Sequence, residues 1–482
     1  MNMTCIACGH ALSPLLTLDD MPASAQNIPA ASELAEDHPL SLTLCQCPSC
    51  GLVQFDTEPV DYYRDVIRAG GGTRTMTRLR HEEYARLLTA MQEQHIHGRR
   101  IVEVGCGRGE FLRMWQTLAE DPEGAAALAR DQARDPLSGQ PNAAPLHLVG
   151  IEHQPSLVEE ANASASTSSP SPSASEHTTY APVTREASAT SADAGTPATE
   201  TAAQPASGTP ATETAAAQPA SGTPSPAYRV YEGFATGDVR YPEGPFDAFV
   251  QFNFLEHQPD PCDMLRNIWH NLKPQALGLL TVPSFEYILR YNGYYELLRD
   301  HIANYTEFTL QKLLQDCGFE LLSMDLVNRD TIEAIVRKAD PDELSELHYS
   351  GRLIDVSALR DSYDRLSASV NAHIDHLSES HRTMAIWGAS HQGFTLAATT
   401  KLGGRVEYII DSAPFKQGRF SPASHIPIVA PDYAVAHPVD EILIVAPGYT
   451  DEIAGIIRER FDENVRILVL RTDRIEEYRA EE

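Results

Sequence analysis

Four cysteines stand in two C-x-x-C pairs, Cys5 with Cys8 in "CIAC" and Cys47 with Cys50 in "CPSC". Two such knuckles present four thiolates to a tetrahedral zinc ion, and the metal adds folding energy to a head with little core of its own. A closed four-sulfur site leaves no coordination position for a substrate, so the expected role is structural. The alternative is four reduced cysteines without metal. Cys45 falls outside the pair spacing and reads as a bystander, unless it takes the place of Cys47. Cys106, Cys262 and Cys317 read as packing residues.

The second chemical signal is "IVEVGCGRGEF", residues 101–111. A strand-like run enters Gly105, Gly107 and Gly109 and leaves through an apolar segment, as when a buried strand turns tightly into a helix over a bound nucleotide. It is not the dinucleotide fingerprint G-x-G-x-x-G, because Glu110 stands where the third glycine would be. A carboxylate there is a poor neighbour for a diphosphate. Nor is it a P-loop, since no Gly-Lys-Ser/Thr follows. Of a dinucleotide, a phosphate group and something without phosphate, the last is left.

The elements that must position these groups are short aliphatic strands alternating with helices. "RRIVEVGC" and "HLVGIE" read as strands separated by a helix that begins near Glu110. "YRVYEGF", "FDAFVQFN" and "LGLLTVP" follow, with helical spacing in "CDMLRNIWHNL" between the last two. "EFTLQKLLQDCG" predicts an amphipathic helix ending at Gly318, and "FELLSMDLV" with "TIEAIVRK" a closing strand pair. A helical region over residues 342–380 leads to a second unit containing "RTMAIWGASHQGFTLAA", "VEYIIDSAP", "EILIVAP" and "VRILVL". The pattern predicts an α/β protein with doubly wound parallel sheets. The expected domains are a zinc-binding head (1–60), a central sheet domain (61–340) and a C-terminal Rossmann-like domain (341–482). Residues 164–226 are Ala-, Ser-, Thr-, Pro- and Glu-rich, with a near-repeat of "GTPATETAAQPAS", and read as a disordered insertion grown by duplication.

Composition bounds the function. With 37 Lys plus Arg against 67 Asp plus Glu, the formal charge is −30, which argues against a nucleic-acid binder but leaves room for a small anion in a local basic pocket. No apolar run reaches the length of a bilayer span, and "MNMTCIACGH" does not resemble a signal peptide. The expectation is a cytoplasmic protein that binds no membrane, whose eight cysteines stay reduced.

"EVGCGRG" resembles the first motif of class I S-adenosylmethionine (SAM) methyltransferases, which implies a cofactor that is a nucleoside without phosphates. The resemblance implies that Glu103, Gly105, Gly107 and Gly109 form the donor pocket. It places Glu152, at the end of "LVGIE", where the ribose hydroxyls need an acceptor. It also implies that "FDAFVQFNFLEHQPDP", through Asn253, lines the methyl-donor site.

Taken whole, the chain resembles the sugar C-methyltransferase family, which methylates a ring carbon of nucleotide-linked 4-keto-6-deoxy sugars. The matches are "LTLCQCPSCGLVQF", "NFLEHQPDP", "RDHIANYT", "WGASHQGFTL" and "IIDSAPFKQGRFSPASHIPIV". A carbon beside a ketone becomes nucleophilic only when a base removes its proton and the enolate oxygen is stabilised. The resemblance makes His301 the base, Asp300 the group that orients or charges it, and His257 the group beside the sugar carbonyl. Three departures stand out. Leu298 occupies the place of a family tyrosine, for which Tyr294 or Tyr295 could substitute; Asp300 replaces a glutamate; and "YYRDVIRAGGGTRT" differs from the family's aromatic stretch. "GASHQG" is a glycine turn without the full dinucleotide fingerprint, in a domain that the resemblance assigns to holding the nucleotide and not to binding NAD. Lys416 and Arg419 could contact the diphosphate, or could be solvated loop charges. The expected partners are SAM, structural zinc and a nucleotide-diphosphate sugar, in a monomer or weak homo-oligomer. The rival readings are an O- or N-methyltransferase and a non-catalytic binding module.

Overall fold

A computed structural model describes residues 4–60, 74–131, 145–165 and 227–479. The low-complexity segment from 166 onwards and most of "YYRDVIRAGGGTRT" lie outside the described residues, while residues 164 and 165 close the helix Pro155–Ala165.

The head is an antiparallel sheet of β1 (Ser13–Met21), β2 (Leu40–Gln46) and β3 (Val53–Phe55). The central sheet takes β4 (Arg100–Val104), β5 (His147–Glu152), β6 (Arg229–Glu232), β7 (Phe246–Phe252) and β8 (Leu272–Pro283). The two-residue β9 (Ala303–Asn304) then leaves that sheet and pairs with β3, Val53 opposite Asn304 and Gln54 opposite Ala303. β10 (Phe319–Val327) and β11 (Thr331–Lys338) return to the central sheet as the expected hairpin.

The central order is β10-β11-β8-β7-β4-β5-β6, parallel except for β11. Every residue of β7 is buried, as a strand covered on both faces requires. Side chains alternate between two cores. Ile101, Ala248 and Val250 pack with the helix Arg74–Glu93, whereas Val102, Val104 and Phe249 pack with the helices Pro261–His270 and Glu307–Asp316. The chain leaves β4 towards β5 on one side, while β7 lies on the other. This reversal of strand order opens a crevice at the carboxyl ends of the strands.

The C-terminal unit contains β12 (Met384–Trp387), β13 (Ile409–Ile410), β14 (Ile428–Val429), β15 (Glu441–Ile444), β16 (Arg466–Leu470) and β17 (Ile475–Glu477). Their order is β14-β13-β12-β15-β16-β17, parallel apart from β17. The helix expected over 342–380 is shorter than its pattern suggested. It spans only Ser357–Glu379, preceded by one turn at Pro341–Glu343. Gly351, at φ +76°, interrupts the intervening segment, which lies over the head instead: the Gln46 side-chain amide donates to Tyr349 Oη at 2.8 Å and accepts from the Ile354 amide at 2.7 Å.

One apolar core joins all three parts. Leu18, Leu42 and Phe55 of the head, Phe285, Tyr294 and Leu297 of the central chain, and Leu359, Leu366 and Phe394 of the C-terminal unit belong to a single buried cluster. The loop that carries Asp300 and His301 therefore runs between the head and the central sheet.

Candidate active site

The four cysteines converge as their spacing suggested. Cys5 Sγ lies 3.5 Å from Cys50 Sγ and Cys8 Sγ 3.5 Å from Cys47 Sγ, and all four sulfurs fall within 4.8 Å of one another. Zinc–sulfur bonds of about 2.3 Å give a tetrahedron with edges of roughly 3.8 Å, so the donor set fits zinc and these four residues would hold it. Cys45 stands apart in β2, paired with Pro14 and Gln54.

Gly105, Gly107 and Gly109 all take positive φ, at +73°, +53° and +69°, which explains their residue type. A Cβ at Gly105 would lie 3.0 Å from the Phe254 ring, so the turn after β4 presses against the segment after β7. Glu103 is buried within β4, beside Gly150 of β5. Glu152 ends β5 almost fully buried, its Oε2 accepting from the Gly107 amide at 2.9 Å and its Oε1 from the Gln154 amide at 3.0 Å. Burial opposes the Glu152 anion, but His153 and these amides outweigh it and hold the carboxyl below its ordinary range. The turn thus sets main-chain amides beside an ionised acceptor, while Arg108 within it is paired with Glu160 at 3.1 Å. Asn253 follows β7 at φ +46°, its Oδ1 accepting from Thr281 Oγ1 at 3.1 Å.

One turn further, Leu255–His257 carries the amide of His257 back to the Phe254 carbonyl, 3.2 Å away. His257 and His301 meet edge to face, with ring centroids 4.8 Å apart. His257 Nδ1 bonds the main-chain oxygen of Asp300 at 2.7 Å. Burial lowers the pKa of both rings, for His301 well below its ordinary value, with His257 and His391 adding to the effect. Both imidazoles are thus neutral at pH 7. His257 is closed off, but 21% of the His301 side chain stays open.

Asp300 does not pair with His301 as expected. Its carboxylate is buried and turned towards the head, accepting from Ser24 Oγ at 3.1 Å and from the amides of Ala25 at 2.7 Å and Gln26 at 3.3 Å. Aspartate is one methylene short of the residue it replaces, and three head donors already satisfy it. The carboxylate beside both imidazoles is Glu256, with Oε1 3.9 Å from His257 Nε2 and 4.0 Å from His301 Nε2. The sequence does not disclose it, because adjacent side chains usually diverge and only the tight turn at 255–257 brings these two together.

Lys416, Arg419 and Tyr294 have protein partners. Lys416 bonds Asp411 Oδ2 at 3.0 Å and the Ala389 carbonyl at 2.8 Å, which neutralises its charge and uses it to brace the glycine turn of the C-terminal unit. Arg419 donates to the Ile28 carbonyl at 2.8 Å, tying that unit to the head. Tyr294 is fully buried, its hydroxyl 3.1 Å from Thr399 Oγ1, and so does not replace the tyrosine missing at Leu298; Tyr295 is also buried. A contact that the sequence did not disclose crosses to the same loop: Glu296 receives His391 Nε2 at 2.8 Å and Gln392 Nε2 at 2.5 Å. Those two residues open a helix whose cap is Ser390. Among the described residues no helix is long and apolar enough to cross a membrane.

Comparison with known proteins gives two family matches: a methyltransferase domain over residues 76–324, and a C-methyltransferase C-terminal domain over residues 353–470. The C-methyltransferase NovU of Streptomyces niveus is 24% identical over 227 residues, covering 44% of this chain and 54% of that protein. The chain thus spans about half the length of this curated relative. Among solved structures, magnesium protoporphyrin IX methyltransferase from Synechocystis, with bound SAH, is 12% identical with a TM-score of 0.31, covering 58% of this chain and 90% of that one. A SAM-dependent methyltransferase from Aquifex aeolicus is 10% identical with a TM-score of 0.28, covering 55% and 97%.

Proposed function

The chain belongs to the methyltransferase family and carries the C-terminal domain of C-methyltransferases, and from that premise we propose that it moves a methyl group from SAM to the carbon beside the ketone of a nucleotide-linked 4-keto-6-deoxy sugar. The observation that carries this reading is the pair of neutral imidazoles, one open and one enclosed, with His257 one turn after Phe254, whose ring lies against Gly105.

His301, unprotonated and accessible, is the base. It takes the proton from the carbon, the C–H electron pair moves into the ring, and the ketone oxygen becomes an enolate oxygen. His257, fixed through Nδ1, stands beside it and stabilises that oxygen once its Nε2 carries a proton. When bound, SAM supplies an electrophilic methyl on a sulfonium sulfur that departs as a neutral thioether. Gly105, Gly107, Gly109, Glu152 and Asn253 hold the nucleoside. The main chain at residues 297–304, clamped to the head, holds the base in register with the carbon it deprotonates.

Mass spectrometry and NMR of the product from SAM and a panel of nucleotide-linked keto sugars test the reading. The expected product carries one added methyl on a ring carbon next to the ketone. A methyl found only on oxygen or nitrogen overturns it. Glu152→Ala is expected to weaken SAM binding about 10- to 100-fold through loss of charge-assisted hydrogen bonds, as measured by titration calorimetry. An unchanged affinity would remove Glu152 from the donor pocket.

A further inference from the structure

We propose that Glu296 is a positioning residue: held by His391 and Gln392 of the C-terminal unit, it fixes the near end of the loop that carries His301, while the head fixes the far end. This deepens the α-proton reading above and rests on it for its catalytic meaning.

Between the turn Tyr294–Glu296 and β9 the chain forms neither helix nor strand, yet it carries the proposed base. Such a segment keeps a side chain in register with a reacting carbon only if contacts hold it at both ends. The far end is anchored to the head. Arg299 donates to the carbonyls of Glu58 and Ala23, and the Asp300 carboxylate accepts from Ser24, Ala25 and Gln26. The Phe55 amide bonds the Ile302 carbonyl, and β3 then pairs with β9.

The near end is anchored to the C-terminal unit instead. Glu296 Oε2 accepts from His391 Nε2 at 2.8 Å and Oε1 from Gln392 Nε2 at 2.5 Å. Each oxygen has its own donor, which fixes the direction of the carboxylate as well as its distance. Tyr294 adds a second tie, its hydroxyl 3.1 Å from Thr399 Oγ1. His391 and Gln392 open the helix His391–Ala398 and Thr399 caps its end, so the turn is bonded to both ends of one helix.

That helix has little room to shift. Gly388, at φ +122°, leads into it from β12, and a Cβ there would lie 2.6 Å from the Val445 oxygen. A Cβ at Gly393 would lie 2.5 Å from the Gly388 oxygen. The glycine turn thus packs against the end of β15, and the clamp joins the loop to the C-terminal sheet. An exposed ion pair would contribute little, but here the Glu296 and His391 side chains are 24% and 33% exposed and Gln392 is buried. Removing Glu296 leaves the buried Gln392 amide without this acceptor. His391 also stands near enough to His301 to add to the lowering of its pKa, which places the clamp beside the base.

The test uses the full chain supplied with zinc, as wild type, Glu296→Ala, His391→Ala and the double variant. Without substrate, amide deuterium uptake followed by mass spectrometry should be about tenfold faster over residues 294–304 in each variant, and unchanged in β4 and β5. With a nucleotide-linked keto sugar and no SAM, deuterium entry beside the ketone should fall about 10- to 100-fold at saturating sugar, while KM and SAM affinity stay within about twofold. The double variant should lose little more than Glu296→Ala, in which the His391 bond is already gone. His391→Gln, which keeps a donor at similar reach, should recover part of the rate that His391→Ala loses. Unchanged amide uptake over residues 294–304 overturns the proposal. So does faster uptake with an unchanged rate of deuterium entry, which would make the contact a structural tie alone. If no keto sugar takes up deuterium in the wild type, the proposed reaction fails, and the amide uptake still decides whether Glu296 sets the loop. Should Glu296→Ala not fold, His391→Ala gives the same comparison.

Discussion

Replacing His301 by alanine lowers turnover by about 10²- to 10⁴-fold and leaves SAM affinity unchanged. The size follows from the chemistry: a C–H beside a ketone does not ionise at a useful rate without a positioned base, and the pH-7 form of His301 is the unprotonated one. The neighbouring ring does not replace it, because His257 is enclosed and its Nδ1 is committed to the Asp300 carbonyl. SAM affinity is expected to hold because the groups proposed to bind the nucleoside are the glycine turn after β4 and Glu152 at the end of β5, and His301 is not one of them. Steady-state rates with calorimetric SAM titration separate the two effects. A variant that loses SAM binding, or one that keeps full turnover, would remove His301 from the role of base.

Changing Cys47 to serine is expected to release the zinc that the four cysteines would hold, to unfold the head and to slow the proposed proton abstraction. Structural zinc contributes on the order of 10 kcal/mol where it organises a small module. Here the module does more than stabilise itself. β3 pairs directly with β9, the Phe55 amide bonds the Ile302 carbonyl at 3.0 Å, and Ser24, Ala25 and Gln26 hold the Asp300 carboxylate. The two residues either side of His301 are thus fixed by the head, and its loss would free the proposed base. Elemental analysis should show the metal gone, the melting temperature should fall by many degrees, and substrate proton exchange should drop at least tenfold at temperatures where the central sheet is intact. Normal exchange in a metal-free, folded variant would confine the head to stability alone. A metal-free wild type would remove the zinc site.

The same contacts show what was legible in the sequence. Periodicity and glycine spacing disclose β4, β5, β7 and the C-terminal sheet, because those strands are buried on both faces and their turns require positive φ. The cysteine pairs disclose the head for a similar reason, since four sulfurs at such spacing have few uses. What stayed hidden depends on contacts between distant segments. Asp300 looks like a partner for its neighbour His301, yet its acceptors' needs are met by residues 24–26. Glu256 looks like a bystander next to His257, yet a single tight turn brings both into one pocket. Lys416 and Arg419 look like anion ligands in an acidic chain, yet Asp411 and the Ile28 carbonyl already hold them. The long helical pattern over 342–380 fails at Gly351, where contact with Gln46 of the head wins over local propensity.

The most direct measurement is hydrogen exchange in D₂O without SAM: wild-type protein is incubated with nucleotide-linked 4-keto-6-deoxy sugars, and the ring carbons beside the ketone are followed by NMR. Deuterium should enter one such carbon in the wild type and remain at the solution background in His301→Ala. Methylation of the same sugar with no deuterium entering any ring carbon would contradict proton abstraction by the imidazole pair.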